Sequence, residues 1–395
     1  MKTTATPFLT PRYVMAKPAG PLCNLDCKYC YYTEKIALLP RDKGRMFMSD
    51  EMLEEYIRQY IALQPSSVLF TWHGGEPLLR SREFYEKVIL LQQKYAQGKQ
   101  IDNSIQTNGT LITEEWAKWL HDHNFLVGVS IDGPQYLHDT YRLSRGGQST
   151  WQQVLRGIEL LNRHQVEWNA MAVVTHETSL HAKDFYRFFQ SIDCKFIQFT
   201  PVVERLKAHK DGRHLVSPSD IENQCVAPYS VTPEGWGRFL CEVFDEWLKH
   251  DLGKRFVQLF ESILAGWMGV PPGVCSLAPT CGHAAVMEYN GDVYCCDHFV
   301  FPEYKLGNIV DTPLHQMFKS PRQQKFGMDK YKKLTNECRR CQWLRLCNGE
   351  CPRNRFATSS DGEPHHNYLC QGYKMFFQHS AQFMQNEREY LIANQ

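Results

Sequence analysis

Short apolar runs alternate with amphipathic stretches through the first 200 residues of the chain. Strands are predicted at 13–17, 67–71, 101–106, 126–131, 167–174 and 195–200. Between them, Phe84, Val88, Leu91 and Tyr95 recur at three- and four-residue steps, which places them on one helix face. Thr113 before Glu114 and Glu115 reads as an N-cap followed by acids in the first turn. Helices are also predicted over 150–163 and 234–249. Strand–helix alternation favours a parallel sheet, because parallel strands need long crossovers. Six units fall short of a closed eight-fold barrel and suit an open, partial (β/α)6 one.

After about residue 250 helical periodicity gives way to cysteines, glycines and hairpin signals. Asn290-Gly291 predicts a two-residue hairpin turn, and 373–392 reads as a terminal helix. The expected division is therefore 1–251, 252–372 and 373–395. The unusual residues follow strand ends: three cysteines, then H-G-G-E-P, Q-T-N-G, S-I-D-G and P-V-V-E-R. Barrel architectures gather their chemistry at the C-terminal ends of parallel strands.

Composition narrows the classes. Lys+Arg 44 against Asp+Glu 43 leaves a net charge of +1, so a nucleic-acid or membrane partner has no electrostatic support. The cluster Lys330 to Lys333 reads as a solvated face. No charged segment followed by an apolar run opens the chain, and no stretch is apolar enough to span a bilayer. The cytoplasm is the expected location, where structural disulfides are rare. Yet there are 15 cysteines, mostly in close-spaced groups, which points to metal.

Cys23, Cys27 and Cys30 lie within eight residues as C-N-L-D-C-K-Y-C. Each thiolate satisfies one iron of a four-iron cube, so three leave the fourth iron open to an external ligand. Zinc prefers paired C-x₂-C knuckles with four ligands. In the last third, Cys338, Cys341, Cys347 and Cys351 are dense enough to read as a zinc ribbon on their own, alongside Cys275, Cys281, Cys295, Cys296 and Cys370.

The first motif, with Tyr29 as its aromatic, resembles the radical S-adenosylmethionine (SAM) superfamily. The resemblance implies one [4Fe–4S] cluster on Cys23, Cys27 and Cys30, with SAM on the open iron. It further implies that Gly74, Gly75 and Glu76 meet the methionine amino group. Thr107, Asn108 and Ser130 would line the cofactor, Arg142 would meet its carboxylate, and Val203 would lie beneath the adenine. The blander readings are a surface salt bridge for Arg142 and a core contact for Val203. The later cysteines resemble the SPASM extension with two auxiliary [4Fe–4S] clusters, three clusters in all. That resemblance assigns Cys275, Cys281, Cys296 and Cys351 to one and Cys338, Cys341, Cys347 and Cys370 to the other. Adjacent strand residues point to opposite faces, and the family's Cys-Asp pattern selects Cys296 over Cys295. Cys194, Cys225, Cys241 and Cys295 are then expected as small buried hydrophobes.

Within this group the chain resembles the anaerobic sulfatase-maturating enzymes from about Tyr13 to Cys370. The supporting segments are M-A-K-P-x-G before the first cysteine, C-D-H-F at the hairpin and L-C-N-G-E-C-P-R-N-R-F near the end. The resemblance implies oxidation of a Ser or Cys side chain of an unfolded sulfatase to Cα-formylglycine. A 5′-deoxyadenosyl radical would take hydrogen from Cβ, and a low-potential donor such as flavodoxin or ferredoxin would supply electrons. Asp297, beside Cys296, is the candidate base; its bland reading is a hairpin-end Asp holding backbone N–H groups. Tyr32 reads equally as a substrate-orienting or a core tyrosine. Two rivals stand: a SPASM maturase that crosslinks a ribosomal peptide, and a non-catalytic zinc or redox-sensing binding protein.

Overall fold

The computed structural model describes residues 12–39, 46–207, 216–220 and 224–394. Twelve strands occur among them: β1 (Tyr13–Ala16), β2 (Ser67–Trp72), β3 (Gln100–Thr107), β4 (Phe125–Ser130), β5 (Trp168–Val174), β6 (Phe196–Pro201), β7 (Arg205–Lys207), β8 (Gln224–Val226), β9 (Phe256–Val257), β10 (Ala284–Met287), β11 (Asp292–Tyr294) and β12 (Lys305–Asn308). Ten form one sheet in the order β12-β11-β10-β1-β2-β3-β4-β5-β6-β9, and β7 pairs with β8 apart from it. β1 to β6 run parallel in sequence order with helices between them, the partial barrel expected from the alternation.

The local causes are plain in the helix Asp50–Leu63. Ser49 caps it by accepting the Met52 N–H at 3.2 Å, and Leu53, Tyr56, Ile57, Tyr60 and Ile61 bury one stripe. Val68, Phe70 and Trp72 alternate inward along β2 to meet that stripe. Thr113 caps Glu114–Asp122 as predicted. The helix Arg82–Tyr95 packs the expected face inward, with Phe84 and Val88 buried and Leu91 and Tyr95 partly buried against the core, and it buries Gln92 as well. Gln92 exchanges two 2.9 Å hydrogen bonds with Asn103 of β3, which makes an amide pair acceptable inside the core.

Three expectations about the second half change. The hairpin joining β10 and β11 uses a three-residue turn, with Gly291 N–H donating to the Glu288 carbonyl at 2.9 Å. Only Gly291, at φ 83°, is left-handed, whereas a two-residue type I′ turn needs positive φ at Asn290 too. The terminal helix begins at Cys370, not at 373. Finally, the sheet continues across the division expected at 252. β9 pairs with β6, and β10 runs parallel to β1 with Tyr13 opposite Ala284. The cysteine-rich part is thereby hydrogen-bonded to the barrel's first strand. No helix among the described residues is long and apolar enough to cross a membrane.

Candidate active site

The first cysteine loop leaves the end of β1 and is strapped by the segment that follows β2. Gly75 N–H donates to the Gly20 carbonyl and Glu76 N–H to the Leu22 carbonyl, both at 2.8 Å. A Cβ on Gly75 would lie 2.1 Å from the Leu22 carbonyl oxygen, so only glycine permits this approach. Burial pushes the Cys23 thiol up to about 11 and Cys27 up to about 12, and Cys23, Cys27 and Cys30 act on one another electrostatically. Thiols gathered in a dry loop favour deprotonation only when a cationic metal centre replaces their protons. Arg142 is buried beside Cys27, and its Nε has no protein partner. An orphaned guanidinium N–H next to three converging thiols fits a carboxylate-bearing cofactor on a metal cluster.

The residues expected around that cofactor are brought together at the strand ends. Glu76 accepts from Thr107 Oγ1, Asn108 N–H and Leu78 N–H, each at 2.8 Å. Its carboxylate therefore clasps the strap after β2 to the turn after β3, and burial pushes it up to about 7. Asn108 Nδ2 lies 3.8 Å from Cys23 Sγ. Tyr29 donates to Asp132 and accepts from Arg142 Nη1 at 3.0 Å. Ser130 Oγ accepts from Gln106 Nε2 at 3.0 Å. Val203 is buried and, with Tyr29 and Cys30, lines the cavity between the barrel mouth and the cysteine-rich region.

The later cysteines separate into two sets. Burial raises the Cys296 thiol strongly, and its charged neighbours are Cys351, Cys275 and Cys281. Cys338, Cys341, Cys347 and Cys370 line a second cavity. Eight thiols in two sets of four fit two fully ligated clusters. The Cys295 side chain is wholly buried and acts on none of these thiols, its charged neighbour being Arg322. Cys194 is buried as expected, but Cys225 is exposed and Cys241 half-buried. Cys225 sits on β8 of the two-stranded pair, opposite Leu206. Lys330 is not a solvated residue either: it is buried and donates to the carbonyls of Cys275 (2.8 Å) and Ser276 (2.6 Å).

Between the first loop and the hairpin lies Asp297. It pairs with Lys17 from the end of β1 and accepts from Tyr31, which directly follows Cys30. Lys35 Nζ donates to its backbone carbonyl at 3.0 Å. Burial opposes its charge, yet Lys17 and then Lys35 hold the carboxyl well below the usual carboxylate range. Lys17 also lies 3.5 Å from Glu288, whose other oxygen accepts from Tyr32 at 2.5 Å. Tyr32 is thus a buried anchor for that acid. The bland reading of Asp297 does not describe its carboxylate, whose partners are side chains.

Residues 18–189 match the radical SAM superfamily, and residues 280–342 match SPASM, an iron–sulfur cluster-binding domain. The chain is 55% identical to the serine-type anaerobic sulfatase-maturating enzyme of Bacteroides thetaiotaomicron over 394 residues, 100% of this chain and 95% of that one. It belongs to the anaerobic sulfatase-maturating enzymes. It is 35% identical to the cysteine-type enzyme of Clostridium perfringens strain 13, over 94% of this chain and 97% of that one. The solved structure of native anSMEcpe with bound AdoMet and Cp18Cys peptide superposes with a TM-score of 0.84 at 34% identity, covering 96% and 100% of the two chains. SuiB of Streptococcus suis shares the fold alone, with a TM-score of 0.59 at 14% identity.

As an anaerobic sulfatase-maturating enzyme the chain is a radical SAM oxidoreductase with iron–sulfur clusters. The zinc-ribbon and non-catalytic readings fall with that membership. Lys17, Tyr31, Lys35, Glu288, His298, Arg353 and Glu204 surround the cavity or Asp297, and none was singled out in the sequence. Lys17, His298 and Arg353 lie inside the three segments that carried the resemblance. Arg353 pairs with Glu204 and lies 4.9 Å over the Tyr31 ring.

Proposed function

We propose that this enzyme oxidises a seryl side chain of an unfolded sulfatase to Cα-formylglycine in the cytoplasm. The single observation that carries the reading is the position of Asp297. Its carboxylate accepts from Tyr31, one residue past Cys30, and Tyr31, Cys30 and His298 line one cavity, so a base lies directly behind the cavity wall beside the radical source. The serine-type relative, at 55% identity, supports a seryl substrate over a cysteinyl one.

Cys23, Cys27 and Cys30 would hold the cluster that binds SAM. Cys275, Cys281, Cys296 and Cys351 would hold the nearer auxiliary cluster, and Cys338, Cys341, Cys347 and Cys370 the farther. When loaded, these groups would supply a hydrogen-abstracting adenosyl radical, started by an electron from a flavodoxin or ferredoxin, and an acceptor for the one electron the substrate gives up. The protein's own part is positional. Arg142 offers its free Nε–H to the SAM carboxylate, and Gly74, Gly75 and the strap held by Glu76 present backbone groups to its amino group. Thr107, Asn108 and Ser130 fix the strand ends around it, Tyr29 orients Arg142, and Val203 gives the adenine an apolar floor.

Going from CH₂OH to CHO removes one hydrogen atom from Cβ, one proton from the hydroxyl and one electron. Asp297 takes the proton. A carboxylate held anionic by Lys17 and Lys35 is a weak base, but loss of the Cβ hydrogen atom makes the neighbouring hydroxyl far more acidic. A weak base within hydrogen-bond reach then suffices. His73 stays neutral, its Nδ1 accepting the Gly74 N–H at 2.7 Å, so Nε2 carries the ring proton.

Anaerobic turnover of seryl and cysteinyl versions of one sulfatase-motif peptide tests the reading. The seryl product should lose two hydrogens and react with a hydrazide. A product lighter by two hydrogens but inert to hydrazide would be a crosslink and would overturn it.

A further inference from the structure

Charge is unevenly distributed along the chain. Between residues 319 and 347 there are nine Lys and Arg against two acids, a net +7 in a chain whose total is +1. Eight of the nine are exposed, Lys330 being the buried one. Both acids, Asp329 and Glu337, are already held in ion pairs with lysines. A net positive surface thus faces solvent, offset in part by Asp361, which pairs with Arg340, and the rest of the molecule is net negative.

The C-terminal part of this segment borders the distal cysteine site. Cys341 lines the thiol cavity and also an open surface depression, whose other walls include Arg340, Trp343 and Lys374. Arg339 follows Cys338 and donates through Nη2 to the carbonyls of Tyr331 (3.3 Å) and Lys332 (2.9 Å), which fixes Lys332 on the same rim. Arg345 lies 4.7 Å over Trp267, whose ring is 6.2 Å from Trp343.

We propose that the rim formed by Lys332, Arg339, Arg340, Arg345 and Lys374 is the docking surface for an acidic one-electron carrier protein. The inference rests on the reading of the distal thiols as an iron–sulfur site. One electron crosses at this face: the carrier's anionic flavin hydroquinone becomes the neutral semiquinone while one ferric iron of the distal site becomes ferrous. The reverse transfer returns the electron left by substrate oxidation. Redox partners associate through small interfaces whose encounter rate is set by opposite charge. A basic rim around an opening with a thiol ligand in its wall meets that requirement.

The test mixes reconstituted holoenzyme with the hydroquinone of an acidic flavodoxin in an anaerobic stopped-flow cell, across a range of ionic strength. Wild type should show a second-order rate that falls steeply with salt. Lys332→Glu with Arg345→Glu should lower the low-salt rate by about tenfold or more and flatten the salt dependence. Lys118→Glu with Lys183→Glu, on outer barrel helices, should change neither. Iron content and the cluster spectrum are measured in each. If the charge-reversed pair loads poorly, Lys332→Gln with Arg345→Gln replaces it and should give a smaller loss in the same direction. Equal rates and salt slopes in rim variants and wild type would overturn the proposal, as would an equal loss in the control pair. Dithionite-driven turnover of the wild type with the seryl peptide reports separately on the formylglycine reading.

Discussion

Asp297 is anionic because of where three chain segments meet. Lys17 directly follows β1, Tyr31 follows the first cysteine loop, and Asp297 follows the β10–β11 hairpin. Asp297→Asn keeps the shape and removes the proton acceptor. It should retain all three clusters and the cleavage of SAM while lowering formylglycine production by roughly 10²- to 10⁴-fold, the range for a positioned base. Chromatography of 5′-deoxyadenosine beside the aldehyde product checks this, and normal aldehyde yield would remove Asp297 from the mechanism. Asp297 was legible because it sits in a short motif beside a cysteine. Lys17 and Tyr31 also lie in or beside such motifs, but nothing local tells either that its partner is a distant carboxylate. The neighbouring cysteines give a second test. Cys295 is sealed in the core and Cys296 has three thiol neighbours. Cys295→Ala should therefore keep about twelve irons per chain, whereas Cys296→Ala should lose about four. Iron and sulfide assays on both variants decide the assignment, and it fails if the two lose iron equally.

At the scale of elements, glycines set the close approaches that hold the site. Gly75 lets the strap after β2 lie against the first cysteine loop, where a Cβ would sit 2.1 Å from a backbone oxygen that cannot move aside cheaply. Gly75→Ala should push the strap off, costing the first cluster and SAM affinity while leaving the other eight thiols loaded. The expected reading is about eight irons per chain with SAM binding lost in equilibrium dialysis; unchanged affinity would show that the strap does not shape the cofactor site. Gly372 plays the same part between the helices Cys370–Ala393 and Pro233–His250, where its Cβ would lie 2.2 Å from the Pro233 carbonyl oxygen. Gly372→Ala should cost on the order of 1–3 kcal/mol through overpacking, seen as a lower Tm. Because Cys370 opens that helix, iron at the distal site should fall with it. This glycine also explains why periodicity placed the helix start at 373. Gly is a poor helix former, so the first turn carries no local signal, and the reason for Gly372 lies on the partner helix. The strand–helix alternation of the barrel was readable because each unit is amphipathic by itself; the three-residue turn at Gly291 was not, since Asn-Gly suits a tighter turn equally well.

At the scale of the molecule, the division expected at residue 252 does not interrupt the sheet. β10 extends it by pairing with β1, and no pattern near residue 284 announces a partner near residue 13. The consequence is that the cysteine-rich region has two kinds of support. β10, β11 and β12 are held by backbone hydrogen bonds to the barrel sheet, with Val286, Met287 and Val293 buried in the core. The segments carrying most of the other ligands have little of this. The helices Asn336–Arg340 and Leu344–Cys347 span five and four residues, far below the length at which helices persist alone. Their order must come largely from the groups that the thiols hold, since metal binding free energy is then local folding free energy. Anaerobic removal of iron with a chelator should therefore leave amide protection in β1 to β6, β10 and β11 close to that of the holoenzyme. Protection should fall sharply over 275–281 and 336–370, which open as a unit of low local stability. Hydrogen–deuterium exchange with peptide mapping reads both at once. If β10 lost protection together with the ligand segments, the sheet would not be an independent support, and the hairpin that carries Asp297 would owe its place to the clusters instead.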